Sequence, residues 1–160
     1  LVAATTLDEA TLIGATDYGV DALVEPAAHA LGVPLVSCLV ARAYVDVNRS
    51  EDEIDTAMFK DIDALPPHRA RSPRVMAGFG VIPTLAPGNN SIYGATKLDA
   101  SSVEHRLNLV HRPYHKALAA LTAQTVEKFG FCILLDCHSM PAMTSAASFS
   151  LRRDRNPFRI

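Results

Sequence analysis

The chain has 160 residues, a length typical of one folded domain. Hydrophobic residues make up 49% of the chain and charged residues 20%, a balance that excludes a mainly disordered protein. The 15 Lys and Arg residues are nearly matched by 17 Asp and Glu residues, and the net charge of -2 argues against a general nucleic-acid binder. Three cysteines, an odd number, argue against a disulfide framework and favour a reducing, cytoplasmic location.

The hydropathy and the terminal residues of the chain bear on membrane spans, signal peptides and the extent of the domain. There is no apolar run of about 18 residues, so we expect no membrane span. The first residues, Leu1 to Thr6, lack the basic and long apolar regions of a signal peptide, and the chain does not begin with Met. We therefore expect one domain over residues 1–160 that is incomplete at its N-terminus and interrupted or truncated toward its C-terminus.

The first predicted elements are a helix and a strand. Apolar residues recur every three or four positions between Asp17 and Leu31, which predicts an amphipathic helix, and Pro26 inside it predicts a kink. Gly32 is expected to end this helix. The apolar, β-branched run from Val33 to Val40 then predicts a buried strand.

The middle of the chain alternates polar segments with one further predicted strand. Arg42 to Asp55 is densely polar and follows directly on the first strand. Asp61 to Pro73 contains three prolines and predicts an irregular surface segment. Arg74 to Ile82 predicts a second strand, and Pro87 to Asn90 predicts a turn.

The longest helical pattern runs from Asp99 to Phe129, and Pro113 inside it predicts a kink or a junction of two helices. Gly130 is expected to end this pattern, and Phe131 to Leu135 predicts a third buried strand. Strands that alternate with helices are typical of an α/β protein. We therefore expect a mostly parallel or mixed sheet with helices on both faces.

The strongest candidate site is Asp136-Cys137-His138-Ser139, directly after the third predicted strand. In an open α/β sheet, ligands bind beyond the carboxyl ends of the strands. Histidine is the commonest metal ligand, and a nearby carboxylate can orient its ring. The alternative is a histidine that only caps a loop, and the spacing alone favours neither interpretation.

A second candidate is Asp46-Val47-Asn48-Arg49, which follows the first predicted strand. Arginine presents a planar fork that suits a carboxylate or a phosphate, and a neighbouring asparagine can donate as well. The alternative is an exposed loop whose arginine pairs with the acidic residues 51–53. From these residues alone, the exposed loop is the favoured interpretation.

Other polar residues carry weaker signals. His111 and His115 lie four apart, but the glutamate of a zinc-binding His-Glu-x-x-His helix is absent, so we interpret them as ordinary helix histidines. Asp17 and Asp21 are also four apart, and a capping role explains Asp17 as well as a metal role does. Arg112 is interpreted as a surface charge, and the three cysteines lack metal-binding spacing and are interpreted as core thiols.

Four segments together resemble the N-formylglutamate amidohydrolase family. They occur in the family's order and at about its spacing, over roughly residues 1 to 143. The segments are Arg42 to Arg49 followed by Glu53-Ile54-Asp55, Arg74-Val75 with Gly80 to Pro83, Arg112-Pro113-Tyr114-His115, and Leu135 to Pro141. Each segment alone is weak, and the combination is specific.

The resemblance implies a zinc-carboxypeptidase-like fold of the phosphorylase/hydrolase-like kind, with zinc as the cofactor. It implies that His138 binds the metal, that Asp17 is a further ligand, and that Asp136 supports the metal site from behind. The family's early Pro-His-Ser-Gly segment has no match in this sequence. Its late general-base glutamate has none either, so both are expected outside the chain.

The resemblance also implies the substrate and the residues that hold it. Asn48 and Arg49 would bind a substrate carboxylate, and Asp46 would orient Arg49. The implied reaction is the zinc-dependent hydrolysis of N-formyl-L-glutamate, or of a similar N-acyl amino acid, to formate and L-glutamate. The partner is then a small molecule, and the pathway is histidine degradation.

Two alternatives to this function stay open at the level of sequence. One is a carboxypeptidase-like peptidase, which would use the same carboxylate-binding arginine, Arg49, on the end of a peptide. The other is a metal-free protein of the same fold that binds a dicarboxylate without cleaving it. Comparing the activity on formylglutamate with that on a set of peptides distinguishes the amidohydrolase from the peptidase. The zinc content of the protein distinguishes the amidohydrolase from the metal-free binding protein.

Overall fold

A computed structural model describes residues 5–68 and 72–139 of the chain. These residues form five α-helices, two very short strands and three 3-10 turns. The helices and strands are α1 Glu9–Gly14, α2 Val20–Leu31, α3 Pro73–Met76, β1 Leu85–Ala86, β2 Asn90–Ser91, α4 Ser101–Arg106 and α5 Arg112–Phe129. The 3-10 turns are Thr56–Met58, Ile62–Ala64 and Pro87–Asn89.

The first predicted helix is confirmed as α2, which begins at Val20 rather than at Asp17. Pro26 lies inside the helix. Gly32 ends it as predicted, because its left-handed backbone (φ 63°) lets its N–H donate to the carbonyl oxygen of His29 at 3.1 Å. Asp17 is therefore left in the turn that precedes the helix, where its carboxylate reaches another part of the chain.

The second predicted helix is confirmed as a continuous helical stretch from Ser101 to Phe129. A π-helical segment, Leu107–His111, joins α4 to α5 just before Pro113, at the point where the sequence predicted a kink. Gly130, at φ 80°, ends the helix by donating its N–H to Val126 at 2.8 Å. No helix in the described residues is long and apolar enough to cross a membrane.

The three predicted strands are wrong, because the structure has no strand at 33–40, 74–82 or 131–135. The second range begins inside the short helix α3 instead. Ser72 caps that helix by accepting the N–H of Val75 at 3.2 Å. In the other two, large apolar side chains are exposed, Leu39 by 87% and Leu135 by 80%. A strand is held by hydrogen bonds to a neighbouring strand, and within residues 5–68 and 72–139 neither segment has such a neighbour.

The mostly parallel sheet is therefore not observed in the described part of the chain. The sheet there has two antiparallel strands, β1 and β2, joined across the predicted turn, with Leu85 opposite Ser91. One isolated parallel bridge joins Phe59 to Leu98. The observed architecture is a mixed one of helices and a small sheet, and the zinc-carboxypeptidase-like fold remains a prediction.

The middle of the chain builds the hydrophobic core. Its members come from the segments on either side of Asp46, from the β1–β2 hairpin and from α4 with the π segment. By contrast α2 buries only Ala28, and α5 buries no residue. The core residues are Ala43, Val45, Ile54, Met58, Phe59, Val81, Ile82, Ala86, Ile92, Tyr93, Leu98, Val103, Leu107 and Val110.

A buried arginine ties α4 to the chain in front of Asp46. Arg106 is 5% exposed, and its Nη1 donates to the carbonyl oxygen of Tyr44 at 2.9 Å and to the hydroxyl of Tyr93 at 2.8 Å. Its guanidinium also lies over the Tyr44 ring, 4.5 Å from the centroid, which is within cation–π range. The segment that leads into Asp46 is thus held to the helix by the hydrogen bonds and the ring contact of a buried guanidinium.

Close packing holds the other side of the same segment. The N–H of Asp46 donates to Val81 at 2.8 Å, and the N–H of Val81 donates to Glu53 at 2.8 Å. Gly80 lies so close to the carbonyl oxygen of Glu53 that a Cβ atom would collide with it. Glycine is therefore required at this position, and it lets two stretches of backbone meet behind the turn at Asp46.

Candidate active site

A turn from Asp46 to Arg49 forms the first half of the candidate site. The N–H of Arg49 donates to the carbonyl oxygen of Asp46 at 3.1 Å, and the N–H of Asn48 donates to the Asp46 carboxylate at 2.9 Å. An aspartate is suited to this position, because its short side chain accepts from the backbone two residues ahead. The sequence therefore specifies the turn through the side chain of Asp46.

The Asp46 carboxylate is buried, with 2% of the residue exposed, and it is paired. Arg42 donates from Nε to its Oδ2 at 2.8 Å, and Nε of Arg49 lies 3.6 Å from the same oxygen. A buried carboxylate without such partners would carry a large desolvation cost. Asp46 therefore contacts Arg49 from inside the protein, and its role in orienting Arg49 stays a prediction.

Arg49 is held through two of the nitrogens of its guanidinium. Nε donates to the carbonyl oxygen of Phe79 at 3.1 Å, and Nη1 donates to the carbonyl oxygen of Asn48 at 2.7 Å. The side chain is 16% exposed, so it is largely enclosed while still reaching the surface. The result is an arginine in a fixed plane at the edge of the turn.

His138 forms the second half of the site. Its Nδ1 lies 2.8 Å from Oδ2 of Asp17 and carries the hydrogen, because a carboxylate only accepts. Its Nε2 lies 2.9 Å from Oδ1 of Asp136. The hydrogen bond to Asp17 raises the pKa of His138 above its ordinary value, against the effect of burial, and Asp136 adds to the rise.

Asp17 uses both of its carboxylate oxygens. While Oδ2 holds His138, Oδ1 accepts the N–H and the hydroxyl of Ser139, both at 2.8 Å. Burial acts to raise the pKa of Asp17, but the hydrogen bonds from His138 and Ser139 outweigh it and the pKa lies below its ordinary value. Since Ser139 donates to a carboxylate and not to the imidazole, the arrangement is not that of a serine nucleophile with its base.

Asn48 joins the two halves. Its side-chain nitrogen lies 3.1 Å from Nε2 of His138, across 90 positions of sequence. The structure therefore brings together all six residues that the sequence singled out for the site, on the Asp46 turn and around the imidazole. Asp21, the partner considered for Asp17, lies instead on the exposed first turn of α2.

An open cleft of about 570 Å³ lies beside the turn. Its walls are Val47 to Glu51 on one side and the start of α5 on the other, with His111, Arg112 and His115. His111 donates to the turn at the carbonyl oxygen of Arg49 and His115 at that of Val47, at 2.8 and 2.9 Å. The interpretation of these histidines as ordinary helix residues missed this contact, although their spacing on one helical face was the available signal.

Arg112 is likewise more than a surface charge. It donates to Glu104 at 2.7 Å and to Glu51, on the cleft wall, at 2.9 Å. The hydrogen bonds to Glu104 and Glu51 raise the pKa of Arg112 above its ordinary value. The negative charge of Glu51 is thereby matched at the edge of the cleft.

The remaining metal-binding candidates do not gather around His138. Within residues 5–68 and 72–139, no group of three His, Cys, Asp or Glu side chains is arranged to hold a metal ion. The cysteines are free thiols; Cys38 and Cys132 are half-buried, and Cys137 is exposed although it was predicted in the core.

Known proteins resemble the chain both in family and in structure. The family model described as N-formylglutamate amidohydrolase matches residues 1–160. The chain is also similar to the crystal structure of N-formylglutamate amidohydrolase from Ralstonia eutropha, with 29% sequence identity and a TM-score of 0.78. That match covers 98% of this chain and 53% of the other, so the chain spans about half the length of that relative. No curated protein matches the chain.

The matched family is a family of amidohydrolases, that is, of hydrolases for amide bonds. The chain belongs to the N-formylglutamate amidohydrolase family. The resemblance carried by the four sequence segments is thereby confirmed. Two of those segments, Arg42–Arg49 and Arg112–His115, contribute the facing walls of the cleft, and the last one carries His138.

The buried pairing of Asp46 generates a prediction on stability. Replacing Asp46 with Asn keeps an acceptor for the N–H of Asn48 but removes the charge that pairs with Arg42. We expect Asp46→Asn to lower the free energy of unfolding by about 1.5–3 kcal/mol, the range for hydrogen bonds to charged groups. Urea unfolding followed by circular dichroism measures the loss.

The matched control is Asp99→Asn, which removes an exposed ion pair with Lys60 at 3.1 Å. Both of its side chains are more than half exposed, so we expect a change of about 0–1 kcal/mol. An equal loss in the two variants would contradict the role given to Asp46.

Proposed function

We propose that this chain supplies the substrate-binding turn and part of the catalytic centre of an enzyme that hydrolyses N-formyl-L-glutamate, or a similar N-acyl amino acid, to formate and L-glutamate. The observation that carries the proposal is the contact between Asn48 and His138, whose side-chain nitrogens lie 3.1 Å apart. It joins an arginine-bearing turn and an imidazole flanked by carboxylates into one site. Family membership supports the choice of substrate.

Arg49 is the residue that we assign to the substrate carboxylate. Because Nε is held by Phe79 and Nη1 by Asn48, the plane of the guanidinium is set before a substrate arrives. A carboxylate accepts well from such a planar fork. N-formyl-L-glutamate carries two carboxylates, which the negative charge of Glu51 on the cleft wall would repel. The pairing of Glu51 with Arg112 at 2.9 Å reduces this repulsion.

His138 is the residue that we assign to the reacting end of the substrate. Its Nε2 is the ring atom that faces Asp136 and Asn48, since Nδ1 is engaged by Asp17. We assign Asp17 to orienting the imidazole, because both of its oxygens already bind His138 and Ser139. Asp136, predicted to support the site from behind, is the carboxylate placed on the Nε2 side.

Zinc belongs to the proposal as the cofactor. An imidazole whose Nδ1 hydrogen is held by a carboxylate is the usual form of a zinc-binding histidine, and zinc on Nε2 of His138 would replace the contact of that atom with Asp136 at 2.9 Å. A catalytic zinc site takes three protein ligands, so at least one further ligand would come from outside the described residues. The chemistry supplied by bound zinc would be Lewis-acid polarisation of the formyl group. The general-base glutamate is likewise expected outside this chain.

Replacement of Arg49 tests the substrate assignment. Lysine keeps the charge but not the planar fork, so we expect Arg49→Lys to lower kcat/KM for N-formyl-L-glutamate. The loss of transition-state stabilisation should be about 2–3 kcal/mol. The measurement is steady-state kinetics at matched zinc occupancy on folded protein. Arg74→Lys is the control, because the Arg74 side chain is 63% exposed, and its kcat/KM should stay at the wild-type value. A wild-type rate and affinity in Arg49→Lys would place the carboxylate pocket elsewhere.

Replacement of His138 tests the metal assignment. We expect His138→Ala to lose zinc and hydrolytic activity while its far-UV circular dichroism stays unchanged, because His138 lies outside the hydrophobic core. His29→Ala, at an exposed position near the end of α2, serves as the control and should keep its zinc. Metal content is measured by atomic emission after dialysis. Undiminished zinc in His138→Ala would contradict the assignment.

A further inference from the structure

Two histidines of one helical stretch bind the backbone of the substrate-binding turn. Nε2 of His111 lies 2.8 Å from the carbonyl oxygen of Arg49, and Nε2 of His115 lies 2.9 Å from that of Val47. The two imidazoles are in contact, with ring centroids 4.4 Å apart. The helix therefore meets the turn through a pair of side chains that act side by side.

The acceptors fix the hydrogen on each ring. A carbonyl oxygen only accepts, so Nε2 of both histidines carries the hydrogen. Burial lowers the pKa of His111, with the Arg49 carbonyl acting in the opposite direction, and this favours the neutral ring. Because both Nε2 atoms are engaged with carbonyl oxygens, the pair is not placed as a pair of metal ligands through those atoms.

The two carbonyl oxygens belong to the residues on either side of Asn48. Holding both of them fixes the peptide plane just before Asn48 and the one just after Arg49, and this limits the directions that the Asn48 side chain can take toward His138. The bond to Arg49 acts at the same time on the residue assigned to the substrate carboxylate. Arg112, between the two histidines in sequence, attaches the helix to Glu51 just beyond the turn at 2.9 Å.

We propose that His111 and His115 are positioning residues, which hold the Val47–Arg49 backbone so that Asn48 faces His138 and Arg49 faces the cleft. The inference deepens the proposed function and rests on it for its kinetic consequence. It does not give either histidine a part in proton transfer or contact with the substrate. Their effect passes through the turn.

The test combines kinetics with a measurement that needs no activity. We expect His111→Leu to raise KM for N-formyl-L-glutamate about tenfold, with kcat changed less than about twofold, because an arginine that binds the ground and transition states alike is misplaced. His111→Gln should restore KM to within about threefold of wild type, since its amide can donate from nearly the same place. His105→Leu, at an exposed position on the same helical stretch, is the control and should change neither constant.

NMR spectroscopy provides the independent readout. In the wild-type chain, imidazole nitrogen shifts should show hydrogen on Nε2 of both rings. In His111→Leu and His115→Leu, the Arg49 amide should exchange with solvent about tenfold faster, because the turn loses an anchor. Wild-type KM in a folded His111→Leu variant, or the opposite tautomer in wild type, would overturn the proposal.

The two proposals fail separately in this design. If the full-length enzyme that contains this chain releases no formate, the proposed function fails, and the exchange of the Arg49 amide still decides the positioning role. Faster exchange in both leucine variants, with rescue in His111→Gln, would then support it, and unchanged exchange would refute it. If the variants do not fold, the tautomers of the wild-type rings alone decide.

Discussion

The buried carboxylate of Asp46 is the interaction on which the rest of the site depends. A charge with 2% of its residue exposed must be paired, and here Arg42 and the N–H of Asn48 supply the pairing. Any conformation of the turn that breaks these contacts would leave a charge buried without partners. The turn is therefore confined to the arrangement in which Asn48 and Arg49 take the directions seen in the structure.

This constraint matters because the other half of the site has little packing of its own. The segment 131–135 forms no strand in the described part of the chain, and Leu135 is exposed. What holds His138 is a set of polar contacts: Asp17, Asp136 and, across the site, Asn48. The turn at Asp46 is attached to the core through Val81, so it provides the rigid side against which the imidazole is placed.

The sequence predicted local features of the fold better than long-range ones. The α2 helix, the long helix with its irregularity near Pro113, and the glycines that end both follow from side-chain periodicity and backbone preference, which act within a few residues. The strands at 33–40 and 131–135 were wrong, because a short apolar run does not show whether a neighbouring strand is present to bond it.

The sequence predicted which residues form the candidate site better than it predicted how they contact one another. Asn48, Arg49 and His138 were identified by residue type, order and family resemblance, and the structure brings them together. That Asp17 would bind the imidazole with one oxygen and Ser139 with the other depends on a contact across more than a hundred residues, which no local pattern reports. The same holds for His111. Its spacing from His115 was visible in the sequence, but its partner is a backbone carbonyl, which no residue type reports.

The most direct test of this account is the chemistry itself. The full-length enzyme that contains this chain, supplied with zinc, is incubated with N-formyl-L-glutamate and, in parallel, with a set of peptides that end in a free carboxylate, and formate and released amino acids are measured. The account predicts that formate and L-glutamate appear in equal amounts and that the peptides stay intact. Release of the C-terminal amino acid from the peptides without formate, or binding of N-formyl-L-glutamate without cleavage, would contradict it.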